Sequence, residues 1–232
     1  MAIDPVTLPK ITLFDGLTAS ELALVADNSR ERSYKTGITV VSQEEPGETF
    51  YVILHGTVRI CTPLPDGNQV FLALLGTGDT VGEMSLIDRK GRSADVVTQE
   101  PTSLLTIGRT AFDELMTNGS TFPRNLMRIL ARRLRLANVR LQAKCTLDVL
   151  GMVAFQIIEF ADLYGEKKPS GRIDIPIRLT QQDIADLVGA SRERVNQVMV
   201  FYRSKNYIAV DSRYRISVLD MEGLRKHLLQ NN

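Results

Sequence analysis

The chain has no tryptophan, and its 232 residues include two cysteines (Cys61 and Cys145) and two histidines (His55 and His227). Two cysteines cannot form the disulfide framework of a small secreted protein, which favours a reducing compartment. They are also fewer than the roughly four thiolates that hold an iron–sulfur cluster, and no grouping of residues suggests a haem or metal site. We therefore expect a cytoplasmic protein without a metal or other resident cofactor.

Long hydrophobic runs are missing as well. No apolar segment approaches the roughly 18 residues that a membrane-spanning helix needs, and the amino terminus lacks the pattern of a signal peptide. The sequence also lacks a Walker loop, a Ser-His-Asp pattern and an acid pair in a predicted cleft. With 44% hydrophobic and 24% charged residues, the composition is typical of a globular protein, and we expect no membrane association and no catalysis.

Charge is divided unevenly along the chain. Residues 1–119 contain 9 Lys+Arg and 16 Asp+Glu, which gives 9 − 16 = −7, whereas residues 120–232 contain 19 and 11, which gives +8. An acidic half joined to a basic half indicates a basic surface that meets a polyanion. The alternative explanation is that the arginines simply lie on the solvent-exposed faces of long helices. The sequence motifs of the basic half distinguish between these two explanations.

The acidic half changes its hydrophobic period near residue 30. Thr18 and Glu21 predict a capping box for a helix over 19–26. Residues 30–112 then form short β-branched and aromatic segments separated by glycines, which is typical of a small β-barrel or double-stranded β-roll. Pro65–Asn68 has the composition of a hairpin turn, and a short helix is predicted over 110–116.

The segment Gly82–Ala94, GEMSLIDRKGRSA, lies between two of the predicted strands. Gly82 lets a ligand approach the backbone closely, and a short helical turn over 84–87 would point N–H groups at an anion. Glu83 can accept hydrogen bonds from a sugar hydroxyl, while Arg92 and Ser93 suit a phosphate. The segment indicates a nucleotide site, with a solvated β-turn as the alternative.

Apolar residues recur every three or four positions over 123–144, which predicts a helix of about 33 Å. The predicted seam consists of Leu126, Ile129, Leu130, Leu134, Ala137, Leu141 and Cys145. A second copy of the helix is the expected partner, and packing against the β-roll is the alternative. After a hinge near 146–151, we expect a helix over 149–164 capped by Asp148, a surface loop over 165–171 and a strand over 173–177.

Residues 180–205 have the pattern of a helix-turn-helix. Thr180 and Asp183 predict a capping box, Gly189 permits the turn, and Ser191 caps a second helix. The outer face of that helix carries Arg192, Glu193, Arg194, Asn196 and Gln197. Residues 205–210 and 214–218 then predict a hairpin, the wing.

Groove chemistry suggests a role for each polar residue of this motif. Arg192 suits guanine O6 and N7, Glu193 suits cytosine N4, and Gln197 suits adenine. Phosphate contacts are expected from Thr180, Gln182 and Ser191. The alternative is a solvated helix face in a three-helix interaction module.

Gly82-Glu83-Met84 and Arg92-Ser93-Ala94 resemble the phosphate-binding cassette of the cyclic AMP receptor protein family, the CRP/FNR regulators. The helix-turn-helix agrees with this family in order and spacing, so the resemblance covers nearly the whole chain. It implies an α+β architecture with three parts: a cyclic-nucleotide-binding β-roll over 1–119, a dimerisation helix and hinge over 120–146, and a winged helix-turn-helix DNA-binding domain over 147–232.

The resemblance also implies individual roles. Ile60, Leu72 and Leu75 would form apolar walls of the nucleotide site, although they could equally be ordinary core residues. Arg133 would lie near the phosphate and ribose. The loop over 165–171 would contact RNA polymerase, and double-stranded DNA with a near-palindromic operator would be the main partner of a homodimer.

Two departures from the family pattern bear on the effector. Members that sense cyclic AMP have adjacent Thr and Ser that bind adenine, where this chain has Ala137 and Asn138. Asn138 could still bond the adenine edge, whereas Ala137 has no hydroxyl. Gln197 stands where a further Arg is common, so the operator half-site should differ at the base that this Arg would read. We expect a regulator gated by cyclic AMP, with weaker affinity or altered nucleotide selectivity, and cyclic GMP is the second candidate effector. The alternatives are a same-fold regulator that needs no nucleotide or uses another effector, and a nucleotide-binding module that regulates a protein partner.

Overall fold

The computed structural model describes residues 8–64 and 69–228, so the turn predicted at 65–68 lies outside the described residues. The chain divides into two units, residues 1–135 and 136–232, and the boundary falls inside the longest helix. The strands are β1 (Ser29–Tyr34), β2 (Thr39–Val41), β3 (Thr49–His55), β4 (Val58–Pro63), β5 (Gln69–Leu75), β6 (Thr80–Val81), β7 (Asp95–Thr98), β8 (Thr102–Gly108), β9 (Glu166–Lys167), β10 (Ile173–Arg178), β11 (Ile208–Val210) and β12 (Arg215–Val218). The helices are α1 (Ala19–Asp27), α2 (Glu83–Asp88), α3 (Arg109–Asn118), α4 (Thr121–Thr146), α5 (Val149–Tyr164), α6 (Gln181–Val188), α7 (Arg192–Ser204) and α8 (Met221–Arg225), with 3₁₀ turns at Leu8–Lys10, Thr12–Phe14 and Lys226–Leu228.

The first unit is a β-roll made of two four-stranded antiparallel sheets. One sheet has the order β1-β8-β3-β6 and the other β2-β7-β4-β5. Both faces of β3 and β8 are buried. Phe50, Val52, Leu105 and Ile107 belong to the core that these strands form with the helices, whereas Ile53 and Leu104 point the other way into a second apolar cluster. The predicted β-roll is confirmed.

Four phenylalanines connect the helices of the first unit to its strands. The rings of Phe14, Phe50, Phe112 and Phe122 are buried, and their neighbouring centroids lie 5.5 to 6.4 Å apart. Phe122 lies in the first turn of α4, and Leu126 continues the contact one turn later. The start of α4 is therefore anchored in the core of the β-roll by apolar burial.

Helix α4 begins two residues before the predicted start and ends two residues after the predicted end. Its predicted seam is divided in the structure. Leu126 and Ile129 are buried in the core of the first unit, so for them the intrachain alternative is correct. Leu134 and Leu141 are each 64% exposed, and Met127 is 63% exposed. We call Met127, Leu134 and Leu141, which follow each other at intervals of seven residues, the α4 stripe.

The second unit has a four-stranded sheet, β11-β12-β10-β9, beside helices α5 to α8. Asp148 caps α5 by accepting from the Gly151 N–H, as predicted, and most of α5 is buried. Tyr202 of α7 donates its hydroxyl hydrogen to the Leu150 carbonyl at 2.8 Å, and burial raises the pKa of this phenol. In the described part of the chain, no helix is long and apolar enough to cross a membrane.

The predicted caps of α1, α6 and α7 are present. Thr18 with Glu21 and Thr180 with Asp183 form reciprocal capping boxes, and Ser191 accepts from the Arg194 N–H. Gly189 ends α6 in the left-handed region, with φ +74°, which a residue with a Cβ adopts only at a cost. The helix-turn-helix and the wing strands β11 and β12 therefore follow the sequence prediction closely.

Candidate functional site

A cavity opens in the first unit between β2, β4 to β7, α2 and the middle of α4. Its volume is about 110 Å³. Its lining contains Val41, Ile60, Leu75, Thr80, Val81, Gly82, Glu83, Met84, Ser85, Arg92, Ser93, Ala94, Val96 and Arg133. One side of the lining is apolar and the other carries the cassette segment, so the cavity offers both a hydrophobic wall and charged groups.

Arg92 is buried at the cassette side of this cavity, with 7% of its surface exposed. One terminal nitrogen donates to the Gly82 carbonyl at 2.8 Å and to Ser85 Oγ at 2.9 Å. The other donates to the carbonyl and hydroxyl of Thr49, at 2.7 and 3.3 Å. An arginine has five N–H donors, so these contacts leave the Nε–H for a ligand.

The charge of Arg92 is not neutralised by a close acid. Among residues 8–64 and 69–228, no carboxylate forms an ion pair with Arg92. Burial lowers the pKa of the guanidinium, an effect that Tyr51 and Glu45 partly oppose, yet arginine stays protonated at neutral pH. The carboxylates of Glu45, Glu83 and Glu48 oppose this effect but form no ion pair with Arg92, so an anion bound directly beside the guanidinium would stabilise it further.

Glu83 is also buried, with 3% of its surface exposed. Its Oε1 accepts from Arg133 Nη1 at 2.8 Å, while its Oε2 is buried without a hydrogen-bond partner. Arg133 also donates from Nη2 to the Thr80 carbonyl at 2.6 Å, and its Nε is buried and unpartnered. One cavity thus holds an unsatisfied carboxylate oxygen and an unsatisfied guanidinium N–H, which a ligand with hydroxyls and a phosphate can satisfy.

Arg109 contacts the carboxyl end of α2, within the segment Gly82–Ala94 that we call the cassette. Its Nε donates to Glu48 Oε2 at 2.7 Å, and Nη2 donates to the Gly47 carbonyl at 2.8 Å. Longer contacts reach the carbonyls of Ser85 and Leu86, at 3.5 and 3.4 Å, which lie in the last turn of α2. A guanidinium at this position satisfies helix-end carbonyls and complements the helix dipole.

Gly47 is required for this arrangement. A Cβ built there would lie 2.0 Å from Ser85 Oγ and 3.1 Å from Arg92 Cζ, so only glycine allows the β2–β3 loop to pass beneath the cassette. Neither Arg109 nor Gly47 could be assigned a role from the sequence, because both act through contacts with residues distant along the chain.

The cavity brings together eight of the ten residues that the resemblance assigns to the nucleotide site: Ile60, Leu75, Gly82, Glu83, Met84, Arg92, Ser93 and Arg133. Leu72 does not line it and is 46% exposed, because the strand alternation of β5 and the irregular β4–β5 register turn its side chain outward. Asn138 belongs to the second unit, where its side chain is exposed. Val41 and Val96 are wall residues that the sequence reasoning missed, although both lie in alternating strands.

A second polar surface lies on the helix-turn-helix of the second unit. Arg192, Glu193 and Gln197 are exposed on α7, whereas Val195, Val198 and Met199 of the same helix are buried. Gln182 and Ser191 are exposed as well, and Thr180 is half-buried because its hydroxyl donates to Asp183 Oδ2. All six residues predicted to bind DNA therefore lie on α6, on α7 or at the N-caps of these helices.

An exposed cleft separates the start of α6 from the first turns of α7. It is lined by Gln181, Ser191, Arg192, Glu193 and Asn196. Gln181 Nε2 donates to Asn196 Oδ1 at 2.7 Å across this cleft. The sequence placed Asn196 on the outer face of α7 but gave no indication that Gln181 would reach it, since the two lie 15 positions apart.

Comparison with known proteins assigns both surfaces to described domain families. Residues 31–118 match the cyclic nucleotide-binding domain, and residues 153–227 match the Crp-like helix-turn-helix domain. The chain is 31% identical over 219 residues to a CRP-like cAMP-activated global transcriptional regulator from Mycobacterium tuberculosis, which covers 94% of this chain and 97% of that protein.

Two solved structures show the same fold. FixK2 from Bradyrhizobium japonicum superposes with a TM-score of 0.75 at 20% identity and covers 86% of this chain and 96% of that one. A c-di-GMP-responsive global regulator, CLP from Xanthomonas campestris, superposes with a TM-score of 0.64 at 25% identity and covers 87% and 99%. The chain therefore belongs to the CRP/FNR family of transcriptional regulators, with a cyclic nucleotide-binding domain followed by a Crp-like DNA-binding helix-turn-helix domain.

Proposed function

We propose that this protein is a homodimeric transcriptional regulator whose affinity for its operator is controlled by a cyclic nucleotide, with cyclic AMP as the first candidate and cyclic GMP as the second. The observation that carries the proposal is the buried, unpartnered Glu83 Oε2 in the same cavity as the buried, unneutralised Arg92. A ribose hydroxyl supplies a donor for Glu83, and a cyclic phosphodiester supplies one negative charge for Arg92.

Helix α4 is suited to carry the signal. Arg133 of α4 binds Glu83 in the first unit, so a ligand hydroxyl at Glu83 competes with or reinforces this contact. Seven residues later, Arg140 of α4 forms an ion pair with the buried Glu159 of α5 in the second unit. Helix α4 therefore forms an ion pair within each unit. A nucleotide can shift the equilibrium between two states of the regulator only if it binds one of these states more tightly.

The α4 stripe supports the homodimer. Leu134 and Leu141 are among the most exposed apolar residues described, and their spacing of seven repeats the heptad of a two-stranded coiled coil. Asn138 lies between them on the same face, one turn from each, where a single polar residue is tolerated in such a seam. A second copy of the helix buries this stripe and places two reading helices on one near-palindromic operator.

The DNA contacts follow the sequence assignment. We assign Arg192, Glu193 and Gln197 to base edges in the major groove, and Thr180, Gln182 and Ser191 to phosphates. The loop between α5 and β10 is the proposed contact with RNA polymerase, on the family resemblance alone.

A second candidate is a regulator of the same fold that needs no nucleotide or uses another effector. Ala137 favours it, because this position has no hydroxyl for an adenine. The similar Xanthomonas regulator, which responds to c-di-GMP, also shows that the fold is compatible with a different cyclic nucleotide.

Glu83→Gln tests the nucleotide site. We expect the variant to bind cyclic AMP about tenfold more weakly in calorimetric titrations, because a charge-assisted hydrogen bond becomes a neutral one. Glu45→Gln is the matched control, since Glu45 is exposed near Arg92 and its charge changes in the same way. Equal affinities for the two variants would contradict the assignment of Glu83, and no heat with either cyclic AMP or cyclic GMP would favour the second candidate.

A further inference from the structure

The hydrogen bond from Gln181 to Asn196 connects the two helices of the DNA-binding motif at an exposed position. Gln181 is the first residue of α6, and Asn196 lies in the second turn of α7. The cleft that they share also contains Arg192 and Glu193, which the family assignment places on base edges. The side-chain amides of Gln181 and Asn196 do not belong to the core, since the buried side of α7 is formed by Val195, Val198 and Met199.

Asn196 lies on the reading face of α7. It follows Glu193 by three positions and Arg192 by four, so the three side chains neighbour each other on one side of the helix. All three are exposed. A recognition helix presents this side of its first turns to the floor of the major groove.

The partner of Asn196 limits which base it can recognise. A free asparagine pairs with adenine by accepting from N6 through its oxygen and donating to N7 through its nitrogen. Here the oxygen of Asn196 accepts from Gln181 Nε2 at 2.7 Å, which uses one of its two lone pairs and neither of the two Nδ2–H donors. Guanine presents two acceptors, O6 and N7, in the major groove and is the best match for a pair of donors.

We propose that Asn196, oriented by Gln181, is a base-reading residue that selects guanine at one position of each half-site. Gln181 is the positioning residue, because it sets the direction of the Asn196 amide. This assignment concerns the DNA-binding domain and holds whether or not a cyclic nucleotide controls the protein.

Operator selection from random duplexes tests the proposal. The full-length wild type, Asn196→Ala, Gln181→Ala and Gln182→Ala would each be selected with and without saturating cyclic AMP. Asn196→Ala is expected to lose a preference of about five- to hundredfold for guanine at one position. Gln181→Ala is expected to keep a preference at that position but to shift it from guanine towards adenine, because the oxygen of Asn196 becomes available.

Gln182→Ala is the matched control. Gln182 is the neighbouring glutamine, and its amide donates to Asp186 Oδ1 within α6 rather than to α7. It is expected to retain the guanine preference, with any loss of affinity spread evenly over all sequences. Thermal unfolding of each variant should match the wild type, since none of these side chains is in the core.

The proposal is overturned if Asn196→Ala selects the same sequences as the wild type. It is also overturned if Gln181→Ala retains guanine, or if either variant weakens all duplexes equally with a shallower salt dependence, which marks a phosphate contact. If the wild type selects no sequence in preference to others, base reading by this helix is rejected altogether. A guanine preference together with an operator affinity that is the same with and without cyclic AMP would support this proposal while removing control by cyclic AMP, so the two can fail separately.

Discussion

The variant Arg92→Ala is expected to bind cyclic AMP at least about a hundredfold more weakly than the wild type in calorimetric titrations. Removing one partner of a buried, hydrogen-bonded charge pair costs about 2–5 kcal/mol, which corresponds to a factor of roughly 30 to several thousand. The loss should be at the upper part of this range, because Arg92 is buried and the nucleotide phosphate is its proposed counter-ion.

Arg92 also supports the cassette, and the two effects have to be separated. Alanine would remove the donors to the carbonyls of Gly82 and Thr49, so the melting temperature should fall as well. Arg92→Lys retains the charge and should recover part of the affinity. Lys90→Ala removes the same charge from an exposed position two residues away and should leave affinity unchanged. If Lys90→Ala and Arg92→Ala weakened binding equally, a general electrostatic effect would replace the proposed phosphate contact.

Placing aspartate at both Leu134 and Leu141 is expected to convert the dimer into a monomer. Each substitution would put a carboxylate into the proposed seam, where a buried charge without a partner is strongly unfavourable. Sedimentation equilibrium should give the mass of one chain, 25.8 kDa, instead of two. Operator affinity should fall by about a hundredfold or more, because the two half-sites are no longer bound by one linked molecule.

Val139→Asp is the control for this prediction. Val139 is an apolar residue of the same helix and is 46% exposed, but it lies on another face than the α4 stripe. Its aspartate variant should remain dimeric and bind the operator. A dimeric double variant of Leu134 and Leu141 would show that the stripe is not the interface.

The sequence predicted well those features that depend on residues close to one another along the chain. The capping boxes at Thr18 and Thr180 and the Ser191 cap depend on residues three positions apart, and the structure contains all of them. The change of period near residue 30 likewise predicted the β-roll. These features need no knowledge of how distant segments meet.

Distant contacts explain what the sequence could not predict. Leu126 and Leu134 both belong to the predicted seam of α4, yet Leu126 is buried in the β-roll core and Leu134 is exposed. Leu72 has the composition of a wall residue, but the register of β4 and β5 turns it outward. Arg109 braces the cassette through residues more than 20 positions away, and Gln181 reaches Asn196 across a turn between helices.

The side chain of Arg92 has an arrangement that the sequence did not predict. The sequence predicted a guanidinium that offers its fork to a phosphate, whereas the structure directs both terminal nitrogens to Gly82, Ser85 and Thr49. The four terminal N–H donors of Arg92 thus hold the cassette in place. The charge and the Nε–H of Arg92 are what a phosphate could contact. The positive charge is therefore held in place where the proposed ligand would bind.

The central claim is that nucleotide in the β-roll changes how tightly the helix-turn-helix domain binds DNA. The most direct measurement is the dissociation constant for a selected operator, determined for the wild type and Arg92→Ala across a cyclic AMP titration at fixed salt. The account predicts that cyclic AMP tightens or weakens wild-type binding by about tenfold, a typical coupling, and leaves Arg92→Ala unaffected. Calorimetric binding of cyclic AMP to the wild type without any change in its operator affinity would contradict it.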